Sequence, residues 1–274
     1  AINFNGTAIS ATAAELNLLD GATSLATSVN GLSDALVEDN SLYLGNDPSG
    51  TTSTASYNVA VGINALDAIT TGDFNIAIGY AALTANTTGS GNTASGWEAL
   101  EANTTGQSNV AIGSLSLTAN TTGSWNTAVG YGSLTANTTG NSNTASGIAA
   151  LYANTTGNYN TASGYHALYA NTTGARNIAV GHGALDAPDT ENDNLAIGYD
   201  ALGGSIAGGE YNIAIGNYAL DALTTGNNNV AVGYNALSAN TTGLYNTASG
   251  YQSMKANTTG NYNTAYGHQS LYNN

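Results

Sequence analysis

Apolar and polar positions recur along this chain with a fixed period. From Asn58 onward an Asn is followed two residues later by Ala and two further on by Gly, at Asn58, Asn75, Asn92, Asn109, Asn126, Asn143, Asn160, Asn177, Asn194, Asn212, Asn229, Asn246 and Asn263. The step is 17 residues, except for 18 between Asn194 and Asn212. Numbered from that Asn, the unit reads N-[TVI]-A-[SVI]-G-x-x-[AS]-L-x-A-N-T-T-G-x-x. Its third-place Ala and fifth-place Gly occur in all thirteen copies and its ninth-place Leu in twelve, Met254 being the exception. β-Branched residues alternating with Ala, punctuated by Gly and by Asn-Thr-Thr-Gly, predict two short strands per unit. A helix is disfavoured by two or more Gly in every complete unit, each costing about 1 kcal/mol relative to Ala.

A 17-residue unit cannot bury a face alone, so neighbours must stack and share one core. The expected fold is all-β: a parallel β-solenoid, or β-roll, with one repeat per turn. Strand spacing of about 4.8 Å makes thirteen rungs a rod of roughly 60 Å. Its interior is assigned to the third-place Ala column, with Ala128, Ala145 and Ala162 at the centre, and to the ninth-place column of Leu100, Leu117, Leu134, Leu151 and Leu168. The fifth-place Gly marks a corner that needs positive φ. The first- and twelfth-place Asn are expected to satisfy backbone groups at turns, where Asn tolerates left-handed geometry. One thin turn buries little, so a second buried surface is expected. The second and fourth places supply it: Val59/Val61, Ile76/Ile78, Val110/Ile112, Ile213/Ile215 and Val230/Val232, with Thr and Ser in middle rungs, lie on the face opposite the Ala column. That face is read as a subunit contact.

The head of the chain is different. Thr12 and Glu15 form a capping box before a short helical run ended by Gly21. Leu25, Val29, Leu32 and Leu36 then follow at the spacing of a coiled-coil seam, or of one amphipathic helix capping the solenoid. Residues 1–40 are therefore expected to be a stalk or cap with short helices, 41–57 a connecting strand and loop, and 58–274 the thirteen-repeat solenoid.

Charge narrows the range of partners. Two Lys+Arg against 17 Asp+Glu give a formal net charge of −15, which argues against nucleic acid and anionic lipid, both held by basic side chains. No apolar run approaches the roughly 20 residues of a membrane span, so no membrane insertion is expected. The chain has no Cys, and stability must come from packing or oligomerisation.

Little chemistry suggests itself. His166, His182 and His268 are read as surface residues at different places in their units. The stretch "DAPDTENDN", with Asp186, Asp189, Glu191 and Asp193, has oxygen ligands for Ca²⁺ but no recognised calcium-loop spacing. No nucleophile elbow or carboxylate pair stands out, so neither catalysis nor a cofactor is expected. Asn86, Asn103, Asn120, Asn137, Asn154, Asn171, Asn240 and Asn257 each head an Asn-Thr-Thr sequon, a by-product of the repeat. Aromatics are more regular. Tyr80, Trp97, Tyr131, Tyr165, Tyr199, Tyr234 and Tyr251 hold the sixth place, and Tyr57, Phe74, Trp125, Tyr159, Tyr211, Tyr245 and Tyr262 the seventeenth. Such rows either stiffen a rod or stack on sugars. In the second case the glycan contacts are Trp125, Tyr131, Tyr159 and Tyr165.

Two resemblances extend this reading. "NFNGTAISATAAELNLLDGAT" resembles a short segment of trimeric stalk regions in phage tail-fibre proteins. "SNVAIG" and "FNIAIGYAAL" are similar to the head repeats of trimeric autotransporter adhesins, and the arrays as a whole to repeats of large phage-fibre and bacterial surface proteins. The resemblance implies a left-handed roll, three chains around one axis, and an extracellular setting on a virion tail fibre or cell surface. The adhesin repeat is shorter than 17 residues, and this sequence stops in mid-repeat at Asn274, from which a longer natural chain is expected. The expected function is a structural segment of a homotrimeric extracellular fibre that projects a distal host-recognition tip. The alternative is a bacterial surface adhesin whose aromatic rows bind cell-surface glycans.

Overall fold

The structure is a computed structural model of the 274-residue chain and describes residues 2–4, 7–9, 35–38, 40–45, 48, 51, 53–188 and 190–273. It is a parallel β-solenoid. Each repeat contributes one three-residue strand, from β5 (Val59–Val61) to β17 (Thr264–Tyr266), and successive strands pair in parallel with like places opposite one another. Around the middle of the rod, Thr144, Ala145 and Ser146 oppose Thr161, Ala162 and Ser163. The irregular 18-residue step keeps that register, with Ala196 opposite Ala214.

Only one strand per unit forms, not two. The reason is backbone geometry that composition hides. After the strand, the fifth-place Gly turns at φ between 110° and 146°, and the ninth-place residue, Leu or Met254, has φ between 48° and 55°. The seventh and seventeenth places are left-handed too, for example Ala149 at 52° and Tyr159 at 60°. Positive φ thus falls on these places and not on the first- and twelfth-place Asn. Left-handed residues end extended pairing, so the remainder of each turn is a chain of bends held by hydrogen bonds to the next rung, such as Leu151 N–H to Ala167 O and Ala153 N–H to Tyr169 O. At the Gly corner a side chain has no room: a Cβ on Gly147 would collide with the carbonyl of Gly164 one rung away.

The core matches the assignment for the Ala and Leu columns. Ala128, Ala145, Ala162, Leu100, Leu117, Leu134, Leu151 and Leu168 are all fully buried. Two further kinds of column share the interior. The eighth place, Ala or Ser, is buried as at Ala150 and Ser133, where the Ser hydroxyl donates to the Gly130 carbonyl at 3.0 Å. The first- and twelfth-place Asn are buried as well, Asn263 at the last rung excepted, and they put two columns of amides into the interior.

These amides are paired along the rod. From Asn75 onward the backbone N–H of each first-place Asn donates to the Oδ1 of the Asn one rung before, as from Asn160 to Asn143 at 2.9 Å, and the Nδ2 groups before the last rung donate to a carbonyl at the far turn, as from Asn143 to Gly157 at 2.8 Å. The twelfth place forms a second ladder from Asn86 to Asn171, each Nδ2 donating to the preceding Oδ1 at 2.8 to 2.9 Å. Buried polar groups are tolerated only when satisfied in this way. The ladder begins after buried Ile69 and stops at Asn171, whose Oδ1 has no partner because the next rung offers Pro188. All eight sequon asparagines lie in this buried column, and the folded rod presents none of them for glycosylation.

A rung precedes the first repeat. Strand β4 (Ser41–Leu44) pairs in parallel with β5, and the Asn58 N–H donates to Ser41 Oγ at 2.9 Å, so Ser41 stands in the Asn column and buried Tyr43 in the Ala column. The Tyr43 ring fills the end of the core. Strand β3 (Ala35–Glu38) covers the outer edge of β4 antiparallel, as open edges require. The first strands, β1 (Ile2–Phe4) and β2 (Thr7–Ile9), form a separate antiparallel pair. Of the expected helical seam only Leu36 is among the described residues, and it is extended, opposite Tyr43. Thr12, Glu15, Gly21, Leu25, Val29 and Leu32 lie outside them.

Candidate functional surfaces

The solenoid offers one flat face. Because the third-place side chain points inward, the second and fourth point out, and their apolar members are left in solvent: Ile76 and Ile78 are 40% and 45% exposed. Val110/Ile112, Ile178/Val180, Leu195/Ile197, Ile213/Ile215 and Val230/Val232 continue the stripe. Thr and Ser replace them in β7 (Thr93–Ser95), β10 (Thr144–Ser146), β11 (Thr161–Ser163) and β16 (Thr247–Ser249).

Aromatic columns flank this face. The seventeenth place precedes the strand by two residues and the sixth follows the Gly corner, so a ring of each kind borders the same rung. Six of these fourteen rings stack on their own copies. Tyr57 lies over Phe74 with centroids 5.0 Å apart, Tyr245 over Tyr262 at 5.1 Å, and Tyr234 over Tyr251 at 5.5 Å, all within 11° of parallel. His182 and His268 belong to the sixth-place column and share one place, contrary to the reading that the three histidines are scattered. His182 stacks between Tyr165 and Tyr199, and His268 on Tyr251. His166, at the seventh place, stacks on Tyr165 and Tyr169. A ring sandwiched between rings presents its edge, and sugar stacking needs a free face. Of the four residues proposed as glycan contacts, Tyr165 is thus covered by its neighbours, while Trp125, Tyr131 and Tyr159 enter none of the ring pairs among the described residues.

The acidic stretch does not converge on an ion. Buried Glu191 accepts from the N–H groups of Thr190 and Gly208 at 3.0 and 2.7 Å, filling in where the Asn ladder is interrupted. Asp193 is engaged by the guanidinium of Arg176 at 2.6 and 2.7 Å, which holds its carboxyl below the usual range. Asp186 faces Asp200 instead. Burial, and then the Asp200 charge, push the carboxyls of Asp186 and Asp221 up. Asp189 is outside the described residues, and among those described no three His, Asp or Glu are placed to hold a metal. Likewise no described helix is long and apolar enough to cross a membrane.

Comparison with family models, with curated proteins and with solved structures finds no match in any of the three.

Proposed function

We propose that this rod is a structural segment of an extracellular homotrimeric fibre, of the kind found in phage tails, in which three left-handed solenoids meet along their flat faces and carry a distal recognition tip. The supporting observation is the exposed Ile and Val stripe. It runs unbroken over the four successive strands from Ile178–Val180 to Val230–Val232, and an exposed row of aliphatic side chains of that length suits a contact surface. The resemblance of the head segment to tail-fibre stalks and of the repeats to trimeric adhesin heads agrees with it. Parallel, in-register rungs also suit a rod that must transmit position along its axis, because every rung repeats the same contact with its neighbours.

Sedimentation equilibrium at micromolar concentration tests this packing. The expected result is the mass of three chains, falling to one chain when Ile78→Asp and Ile197→Asp place carboxylates on the stripe. A single-chain mass for the unaltered protein would refute the trimer.

A further inference from the structure

The seventeenth-place column is interrupted by non-aromatic residues, and at Ser142 the interruption is a single small side chain flanked by a ring on each side. Trp125 and Tyr159 stand two rungs apart with Ser142 between them, and they are 65% and 64% exposed. The backbone of Ser142 has φ of 57°, the same as Trp125 and close to the 60° of Tyr159, so the place could carry a ring and does not. Two rungs separate the flanking rings by roughly 10 Å. Contact distances of about 3.5 to 4.0 Å on each side leave room for one further ring between the two faces. Ser142, half-buried, lies at the base between them.

The rim is polar and neutral. Asn141 and Asn158 sit one residue before Ser142 and Tyr159, their amides ordered by bonds to Thr139 O at 2.8 Å, to Thr156 O at 3.0 Å and between each other at 3.3 Å. Thr144 and Ser146 project from the adjoining strand and are exposed. Residues 102–175 contain no Asp, Glu, Lys or Arg, in a chain whose net charge is −15. A cationic or anionic ligand would find no counter-charge here.

From these features we infer that Trp125, Ser142 and Tyr159 form a binding slot for an uncharged saccharide, one pyranose ring inserting between the two aromatic faces with its hydroxyls on Ser142 and the Asn141 and Asn158 amides. A pyranose has two C–H faces and an equatorial belt of hydroxyls, which suits two open rings and a rim of amides. The related arrangement Tyr211–Asn228–Tyr245 is filled by a larger side chain and adjoins Glu210. The inference does not rest on the trimeric packing.

Trp125 reports on its own slot. In a Trp97→Phe background it is the remaining tryptophan, and its emission is titrated with maltotetraose, chitotetraose, mannotetraose and galactotetraose, and with p-cresol as a stand-in for a protein aromatic. A saturable shift with at least one oligosaccharide is expected, with Kd between micromolar and millimolar. Ser142→Tyr, which sets between the two rings the residue most common at that place, should weaken the response at least tenfold while leaving the melting temperature no lower than before. No saturable response to any of the four oligosaccharides, a response to p-cresol alone, or one unchanged by Ser142→Tyr overturns the slot. Mass measured on the same samples separates the two proposals: three chains without a response removes the slot alone, and one chain with a response removes the fibre packing alone.

Discussion

Leu151 and Tyr152 are neighbours in sequence with opposite fates. The Leu side chain is fully buried between Leu134 and Leu168, while Tyr152 is exposed and stacks on Tyr169 with centroids 5.3 Å apart. Leu151→Ala should cost about 2 to 5 kcal/mol, because rungs locked by hydrogen bonds above and below cannot collapse into the cavity. Tyr152→Ala should cost about 1 kcal/mol, the worth of one exposed ring pair. Equal losses in thermal melts would place the wrong face inside. The Asn column gives a sharper comparison. Asn154→Leu orphans the Oδ1 of Asn137 in mid-ladder and adds one unpaired buried oxygen. Asn171→Leu merely moves the ladder's end, exchanging the unpaired Oδ1 of Asn171 for that of Asn154. Ile69 shows that an apolar side chain fits this place. Asn154→Leu should therefore be the more destabilising by about 1 to 3 kcal/mol, and chemical denaturation of the two variants decides it.

At the scale of one turn, the eighth to tenth units concentrate the carboxyls whose titration is shifted. Asp186 and Asp221 are raised in the folded state, so the folded chain binds their protons more tightly than the unfolded chain does. Stability then declines as pH rises from the ordinary aspartate value of about 4 through the raised values, and stays reduced above them. Asp193 works the other way, its contribution being present above that value and lost as pH falls through its lowered one. Replacing Asp186 and Asp221 by Asn should raise the melting temperature at pH 7 and leave it unchanged at pH 4 or below. Parallel pH profiles for the variant and the parent would contradict this. How much of a turn was legible follows from the same residues. The period, the Ala and Leu columns and the outward second and fourth places could be read because alternation about an invariant Ala leaves one inside. The second strand was misread because Leu, a residue rarely left-handed, adopts φ near 50° at every ninth place, forced by packing between rungs and not by its own preference. The buried Asn ladders were read as turns because Asn is usually exposed. Ile69 and Leu223 in the same column were the available sign that the place is internal. The aromatic columns were located correctly, but which rings are covered depends on rung spacing, and only stacking shows that Ser142 leaves a gap.

For the whole molecule, the proposed packing gives a rod too thin to bury much in each turn a second core made by other copies of itself. Thirteen repeats fix the rod at roughly 60 Å whatever the number of chains, so length and cross-section can be measured separately. Small-angle X-ray scattering of the intact chain at micromolar concentration yields mass per unit length. The expected result is a rod of single-chain length whose mass per unit length is that of three 27.3 kDa chains side by side. A rod of the same length with the mass per unit length of one chain would contradict it.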